Sequence, residues 1–290
     1  MSAPRTISFL SDYGLDDDFV GVCHGVMAQL APAVRVIDVT HGIPRHDIRT
    51  GALLLRRALP YLPPGVHLAV VDPDVGTERR AIALRTAEED RLLVGPDNGL
   101  LAPAVALAGG AERAVELNNA DWHLPSIGAT FAGRDVFAPI AAQLCNGVDL
   151  TELGELVDAD LLLPGVVALP QADDTKVIAQ VLWVDRFGNA QLNVGPDDLP
   201  ATFGPRVEVR CSSPTDPTGG VVRSAVRATS YAELGGGAVG LVLDSSGLLA
   251  VSMDQRSAAE ELGLDVGDQV TLTASDDAGI TQQVTLRRRS

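Results

Sequence analysis

The stretch ISFLSDYGLDDD (residues 7–18) decides the fold of the N-terminal half, because an apolar strand-like run ends abruptly in a short acidic turn. The same arrangement recurs three times in the first hundred residues: VRVIDVTHGIPRHD (34–47), VHLAVVDPDVGTERR (66–80) and RLLVGPDNG (91–99). In an open α/β sheet, ligands bind in the crevice outside the carboxyl ends of the strands. The four polar turns therefore predict a small-molecule site along one edge of a sheet.

Helical patterns fill the segments between these runs and beyond them. Acidic residues are predicted to cap three of the helices: Asp16–Asp18, Asp47 and Asp135. The alternation of strand-like and helical segments predicts an α/β domain with a central, mostly parallel sheet.

The C-terminal part has a different pattern, with short runs rich in Val and Thr between Gly, Asp and Pro turns. This pattern predicts a smaller all-β, barrel-like domain with one short helix at 257–262. The predicted strands are 177–185, 206–211, 225–234, 239–244, 248–253, 269–274 and 282–287. We divide the chain into an α/β domain (1–165), a linker (166–175) and an all-β domain (176–290).

Composition excludes several classes of protein. The chain has 290 residues, 46% of them hydrophobic, and a formal net charge of −16, which argues against binding to nucleic-acid phosphates. We expect a cytoplasmic protein, because no signal peptide or membrane-length apolar run is present. Cys23, Cys145 and Cys211 show no CxxC spacing, which indicates reduced thiols. Lys176 is the only lysine, so a lysine Schiff base is not expected.

Asp72 ends an apolar run, and Arg79 follows it across a Gly76–Thr77 turn. An ion pair between the two would keep the carboxylate ionised and fix its orientation. The alternative is a salt bridge that only closes the loop. Asp72 and Asp74, like Asp16–Asp18, could also offer oxygens to a divalent cation, although a helix cap explains the second run more simply.

The five histidines are scattered along the chain. His24 and His67 lie within a helical and a strand-like segment, which indicates packing positions. His41 and His46 lie on the second strand-end turn and are candidate pocket residues. No pair has HxxxH or HxH spacing, so no metal site is predicted.

Two turns in the C-terminal half have open interpretations. In DRFGN (185–189), Asn189 could bind the edge of a heterocycle while Phe187 stacks on its face, or the segment is an ordinary hairpin turn. GGGAVG (235–240) matches a dinucleotide-binding fingerprint, but a strand-like run follows it instead of a helix. A glycine-rich hairpin is the better interpretation.

Together these segments resemble the S-adenosyl-L-methionine (SAM) hydroxide adenosyltransferase family, the SAM hydrolases related to the SAM-dependent fluorinase and chlorinase. The resemblance covers both predicted domains in the same order. Its motifs are SDYG (11–14), DVTHGIPRHDIRTGA (38–52), VVDPDVGTERR (70–80), GPDNGLL (95–101), TFAGRDVFAP (130–139), DRFGN (185–189) and DSSGLLAV (244–251).

The resemblance implies that SAM, the substrate, binds between the N-terminal domain of one subunit and the C-terminal domain of a neighbour in a homotrimer. No further cofactor is implied. Asp12 is similar in position to the residue that binds the ribose hydroxyls, with Asp17 nearby, and His46 stands where the halogenases carry an aromatic residue. The implied contacts in the C-terminal domain are Asp185 and Ser245 for the methionine part, Phe187, Asn189 and Tyr231 around adenine, and the backbone of Met253 and Gln255.

The implied reaction is attack of water or hydroxide on the ribose C5′, which gives adenosine and L-methionine. The family's hydrolases carry an Asp–Arg–His triad, and Asp72 and Arg79 match its first two members. Ala132 stands at the position of the histidine, and Asp74 stands where the family usually has glycine. We expect a SAM hydrolase slowed by Ala132. The alternatives are a catalytically inactive SAM- or adenosine-binding protein and, less favoured, a SAM-dependent halogenase.

Overall fold

Two units make up the chain, Met1–Val167 and Ala168–Ser290. The computed structural model describes residues 3–166, 168–213 and 216–275. Within these ranges, no helix combines the length and the apolar character needed to cross a bilayer.

The first unit is built on a seven-stranded sheet in the order β2-β1-β3-β5-β4-β6-β7. Its strands are β1 (Thr6–Ser11), β2 (Arg35–Thr40), β3 (Val66–Val70), β4 (Ala81–Thr86), β5 (Leu92–Pro96), β6 (Ala111–Glu116) and β7 (Glu155–Val157). Neighbours among β2, β1, β3 and β5 are parallel, whereas β4, β6 and β7 each pair antiparallel. Because β6 is antiparallel to β4, it runs in the direction of β5, and the predicted mostly parallel sheet is confirmed.

Helices cover both faces of this sheet, because successive side chains of a strand point to opposite faces and both sets are apolar here. The helices are α1 (Phe19–Leu30), α2 (Ile48–Ala58), α3 (Ala102–Leu107) and α4 (Ala138–Cys145). Phe9 of β1 packs in one core with α1 and α4, and Leu10 packs in another with α2 and α3. The α/β layering predicted from the sequence is confirmed.

Of the three predicted helix caps, Asp47 is confirmed, since its carboxylate accepts a hydrogen bond from the Thr50 N–H at 2.9 Å. Asp18 lies at the start of α1, but its side chain makes no capping hydrogen bond. The cap prediction for Asp135 is wrong. A π-helical turn, Gly133–Phe137, runs directly into α4, and Arg134 donates to both oxygens of Asp135 within that turn.

In the second unit, seven strands close into a barrel, because β10 pairs with both β14 and β9. An eighth, β8 (Gln171–Ala172), lies in the segment predicted as a linker and pairs with β9. The barrel strands are β9 (Lys176–Val184), β10 (Ala190–Leu192), β11 (Arg206–Ser213), β12 (Asp216–Ala228), β13 (Val239–Leu243), β14 (Leu249–Met253) and β15 (Gln269–Ala274). The predicted barrel-like fold is confirmed, and the predicted strand 282–287 lies outside the described residues.

The glycine-rich segment 235–240 differs from its prediction. It leads into β13, so a strand follows the glycines and the helix that a dinucleotide loop needs is missing there. It is not a hairpin either, because β12 and β13 pair in parallel and the chain must cross over between them. The predicted short helix at 257–262 is confirmed as α5 (Ala258–Leu262), and the Ser257 hydroxyl caps it by accepting a hydrogen bond from the Glu260 N–H.

Candidate active site

A cavity of about 700 Å³ lies at the carboxyl ends of β1, β2 and β3. Turns that follow these three strands line it, together with the loop at 130–133. The turn after β5 was expected there too, but Asp97 on that turn binds Arg80 and is absent from the cavity's lining. Three of the four polar strand ends therefore converge on one site.

Asp72 lines this cavity on the turn that follows β3, and Arg79, which does not line it, forms an ion pair with the Asp72 carboxylate. The Arg79 Nε donates to one carboxylate oxygen at 3.0 Å and its Nη2 donates to the other. The third guanidinium nitrogen, Nη1, donates to the Arg80 backbone carbonyl at 2.6 Å. This bond fixes the position of the Arg79 guanidinium against Asp72. The predicted Asp72–Arg79 pair is confirmed.

The pair is buried, with 5% of the Asp72 side chain and 10% of the Arg79 side chain exposed. Burial raises the pKa of Asp72, Arg79 lowers it, and the effect of burial prevails. A carboxylate with a raised pKa is a better proton acceptor than an ordinary aspartate. The cavity thus holds an oriented base at its wall.

Asp12 and His46 lie together on the turns that follow β1 and β2. The backbone N–H of His46 donates to Asp12 Oδ2 at 2.9 Å, and His46 adopts a positive φ of 66°. Such a conformation is uncommon for a residue other than glycine and often marks a functional loop. Asp17 also lines the cavity, as does His41. The predictions that His41 and His46 are pocket residues are confirmed.

Ala132 lines the same cavity, directly before the π-helical turn. Its neighbour Gly133 touches Tyr13 so closely that a Cβ there would lie 2.1 Å from the Tyr13 hydroxyl oxygen. Burial raises the pKa of Tyr13, and the negative charges of Asp12 and Asp72 raise it further, so the phenol stays protonated. A methyl group and a phenol therefore flank the cavity where the family resemblance implies a histidine.

A second concavity, of about 570 Å³, lies in the second unit. Six of the predicted site residues line it: Asp185, Phe187, Asn189, Tyr231, Met253 and Gln255. Ser245 does not; it is exposed on the turn between β13 and β14. The structure thus gathers six of the seven residues expected to contact substrate from this unit.

The DRFGN turn is held by its own aspartate. Asp185 accepts hydrogen bonds from the backbone N–H groups of Phe187 and Asn189, and from the Asn189 side-chain amide at 2.8 Å. Phe187 is left 78% exposed on the concavity, and burial together with Asp185 raises the pKa of the neighbouring Tyr231 hydroxyl. Asp185 therefore shapes this surface in addition to any contact with a ligand.

The acidic runs do not form the cation sites considered from the sequence. Within the described residues, neither Asp16–Asp18 nor Asp72 with Asp74 belongs to a group of three convergent ligand atoms. His67 is buried as expected, between the Ser8 hydroxyl at 2.7 Å and Arg91 at 3.1 Å, and burial lowers its pKa to about 3. It is a neutral core residue.

Known families match both units. A family model described as SAM hydroxide adenosyltransferase N-terminal domain matches residues 7–154, and one described as the C-terminal domain of the same family matches residues 179–271. The chain belongs to this family.

The chain is similar over most of its length to known members of the SAM hydroxide adenosyltransferase family and to solved structures. It is 48% identical to a protein of Salinispora tropica named (R)-S-adenosyl-L-methionine hydrolase, over 94% of this chain and 100% of that one. A Thermus thermophilus protein of the same name is 42% identical, over 92% and 99%. A crystal structure of an uncharacterized conserved protein from Thermotoga maritima has a TM-score of 0.82 and 31% identity, covering 92% of this chain and 99% of that one.

Sequence reasoning missed one residue of the site in this family member. Tyr13 stands between Asp12 and the 130–133 loop and was not assigned a role. The available signal was an aromatic residue placed directly after a strand-end carboxylate. Its partners Phe19 and Phe131, at centroid distances of 5.7 and 5.8 Å, are distant in the chain, which hides the aromatic cluster from spacing alone.

Proposed function

We propose that the protein hydrolyses SAM to adenosine and L-methionine by attack of water or hydroxide on the ribose C5′. The observation that supports this most directly is the buried Asp72, held by Arg79 and facing a cavity large enough for a nucleoside. Asp12, with one oxygen bound to the His46 N–H, keeps its other oxygen for ribose hydroxyls. The named SAM hydrolases among the relatives support the same substrate.

The chemistry of a sulfonium suits such a site. The methionine thioether leaves as a neutral group, so little acid catalysis is needed, and the main requirement is an aimed, desolvated nucleophile. Asp72 accepts a hydrogen bond from water and takes up its proton as the C5′–O bond forms and the C5′–S bond breaks. SAM is the substrate, and we propose that no further cofactor takes part.

The halogenase alternative fits the charges of this cavity less well. A halide ion would meet the carboxylate of Asp72, and the charge of Asp74 lies close enough to raise the pKa of Asp72, although the Asp74 backbone N–H acts in the opposite direction. Two neighbouring carboxylates repel an anionic nucleophile but accept a neutral water molecule. Hydrolysis is therefore the favoured reaction.

The test is to incubate the purified protein with SAM and to separate adenosine and methionine by chromatography. We expect both products in equal amounts, and added chloride or fluoride should give no 5′-halo-5′-deoxyadenosine. SAM binding without products would favour the inactive binding protein, and a halogenated nucleoside would favour the halogenase.

A matched pair of variants separates catalysis from loop closure. Asp72→Asn and Asp97→Asn each neutralise a buried aspartate that is paired with an arginine in the first unit. Asp97 does not line the cavity. We expect Asp72→Asn to lose turnover while Asp97→Asn, if folded, retains it. Equal losses in the two variants would mean that Asp72 serves the fold alone.

We further propose a homotrimer in which the concavity of one subunit's second unit completes the cavity of a neighbour's first unit. The separate location of the predicted contacts, some on each unit, supports this arrangement. Light scattering should give three chains per particle. Mixing Asp72→Asn with Phe187→Ala subunits should restore about a quarter of the sites, because in a heterologous ring some sites then combine an unmodified first unit with an unmodified second unit of the neighbour. An absence of activity after subunit exchange would contradict shared sites.

We also propose a cytoplasmic location. The three cysteines, Cys23, Cys145 and Cys211, are buried and free, which fits a reducing compartment. Fractionation of the source cells with an antibody to the protein would test it.

A further inference from the structure

We propose that His24, Asp38 and His41 bind a divalent transition-metal ion of the zinc class. His41 also lines the cavity, but none of the three is among the groups assigned to hydrolysis. His24 lies on α1, Asp38 on β2 and His41 directly after β2. The connection from α1 to β2 therefore brings His24 next to Asp38 and His41, which lie close together in the sequence.

The three ligand atoms converge within 4.8 Å of one another. Asp38 Oδ1 lies 2.8 Å from His24 Nε2 and 3.1 Å from His41 Nε2. Tetrahedral coordination with bonds of about 2.0 Å separates neighbouring ligand atoms by about 3.3 Å. Both distances to Asp38 Oδ1 are thus within about half an ångström of this separation, and the two imidazole nitrogens lie within 4.8 Å of each other.

His41 supplies the second observation. Its side chain is 3% exposed, and its Nε2 lies 3.1 Å from Asp38 Oδ1 but has no hydrogen-bond partner among the described residues. The other ring nitrogen, Nδ1, lies 2.8 Å from the Ser11 hydroxyl, which fixes the orientation of the ring. Metal-binding histidines are held in this way, with one nitrogen bound to the protein and the other aimed at the ion.

The chemistry of the ligands selects the class of ion. Two imidazole nitrogens and one carboxylate suit Zn²⁺, Co²⁺ or Ni²⁺, whereas Ca²⁺ and Mg²⁺ require more oxygen ligands. The side chains of His24 and Asp38 are 34% and 46% exposed, so solvent gives the ion an entry path and can supply a fourth, water ligand. The ion would tie α1 to β2.

The test is a titration of the chelator-treated full-length protein with Co²⁺, followed by visible absorption and by competition with Zn²⁺. We expect one Co²⁺ per chain and a higher melting temperature in its presence, because an ion that binds only the folded state stabilises it. His24→Gln and Asp38→Asn should each weaken binding at least tenfold and abolish the rise in melting temperature. No SAM is present, so the result does not depend on the proposed hydrolysis.

His123→Gln is the matched control. His123 also has an Nε2 without a hydrogen-bond partner among the described residues, but it belongs to no group of three ligand atoms there. We expect it to bind Co²⁺ like the unmodified protein. The absence of stoichiometric binding, or equal affinity in His24→Gln, would overturn the proposal and leave a hydrogen-bonded cluster. Since His24 is partly exposed, its variant should fold even if Asp38→Asn does not.

Discussion

Replacing Ala132 by histidine tests the chemistry of the cavity most directly. Ala132 has ordinary right-handed helical torsions, φ −58° and ψ −28°, so a histidine requires no change in the backbone. The residue is half-buried on the wall of a cavity of about 700 Å³, which leaves room for an imidazole. The variant should therefore fold and present a second proton acceptor to the water that attacks C5′.

The expected gain follows from the groups already present. A well-placed general base contributes about 10²- to 10⁴-fold to a rate, but in the proposed mechanism Asp72 already supplies part of this effect. We therefore expect Ala132→His to raise kcat at least tenfold, which corresponds to about 1.4 kcal/mol of the activation free energy. SAM affinity should change little, because an alanine methyl contributes little to binding.

The assay is steady-state formation of adenosine as a function of SAM concentration and pH. The variant should gain a limb in its pH–rate profile near the histidine pKa of about 6.5. Ala132→Leu is the control, since it fills the space without a proton acceptor and should not gain activity. Equal kcat in Ala132→His and the unmodified protein would refute the reasoning, and so would an equal gain in Ala132→Leu.

Three further predictions concern the site and the cores. On acidification, the activity should fall at a pH above the ordinary aspartate pKa of about 3.9, because burial raises the pKa of Asp72 and only the ionised carboxylate accepts a proton. Arg79→Gln should move this acidic limb of the pH–rate profile to still higher pH, because Arg79 lowers the pKa of Asp72. Gly133→Ala should lower both melting temperature and kcat through its clash with the Tyr13 hydroxyl, and Tyr13→Phe should relieve part of the loss in a double variant; additive effects would contradict the clash. Native protein should resist a thiol reagent at pH 8 and react fully after unfolding, because burial raises the cysteine pKa values; rapid native labelling would contradict this. The values are about 12 for Cys23 and Cys145 and about 11 for Cys211.

The sequence predicts those parts of the site that depend on local order. Asp72 and Arg79 are seven residues apart on one turn, so their pairing follows from chain connectivity. The strand-end turns after β1, β2 and β3 converge because parallel neighbours place their carboxyl ends at one edge. The first inference depends only on neighbours in the chain, and the second only on the strands being parallel neighbours in one sheet.

Contacts between distant segments were not predictable in the same way. Tyr13 meets Gly133, and His24 meets Asp38 and His41, only after helices and strands have packed. The HxxxH and HxH spacings describe ligands on one helix or one strand, so they do not detect a cluster formed by a helix and the strand that follows it. Asp135 lies within a π-helical turn instead of capping a helix. A turn this short has too few residues to show a recognisable hydrophobic period.

The geometry around Asp72 is compatible with the proposed hydrolysis without a histidine at position 132. Arg79 occupies one acceptor direction on each carboxylate oxygen, and its own position is fixed by the Arg80 carbonyl. A carboxylate accepts about four hydrogen bonds, and Arg79 with the Asp74 backbone N–H occupies part of this capacity, so one direction remains free for water. Because two hydrogen bonds from Arg79 hold the Asp72 carboxylate, that free direction is set before substrate arrives. In the proposed mechanism, little reorganisation is then needed during the reaction. On this view a histidine at position 132 adds proton-accepting power to an arrangement that already aims the water.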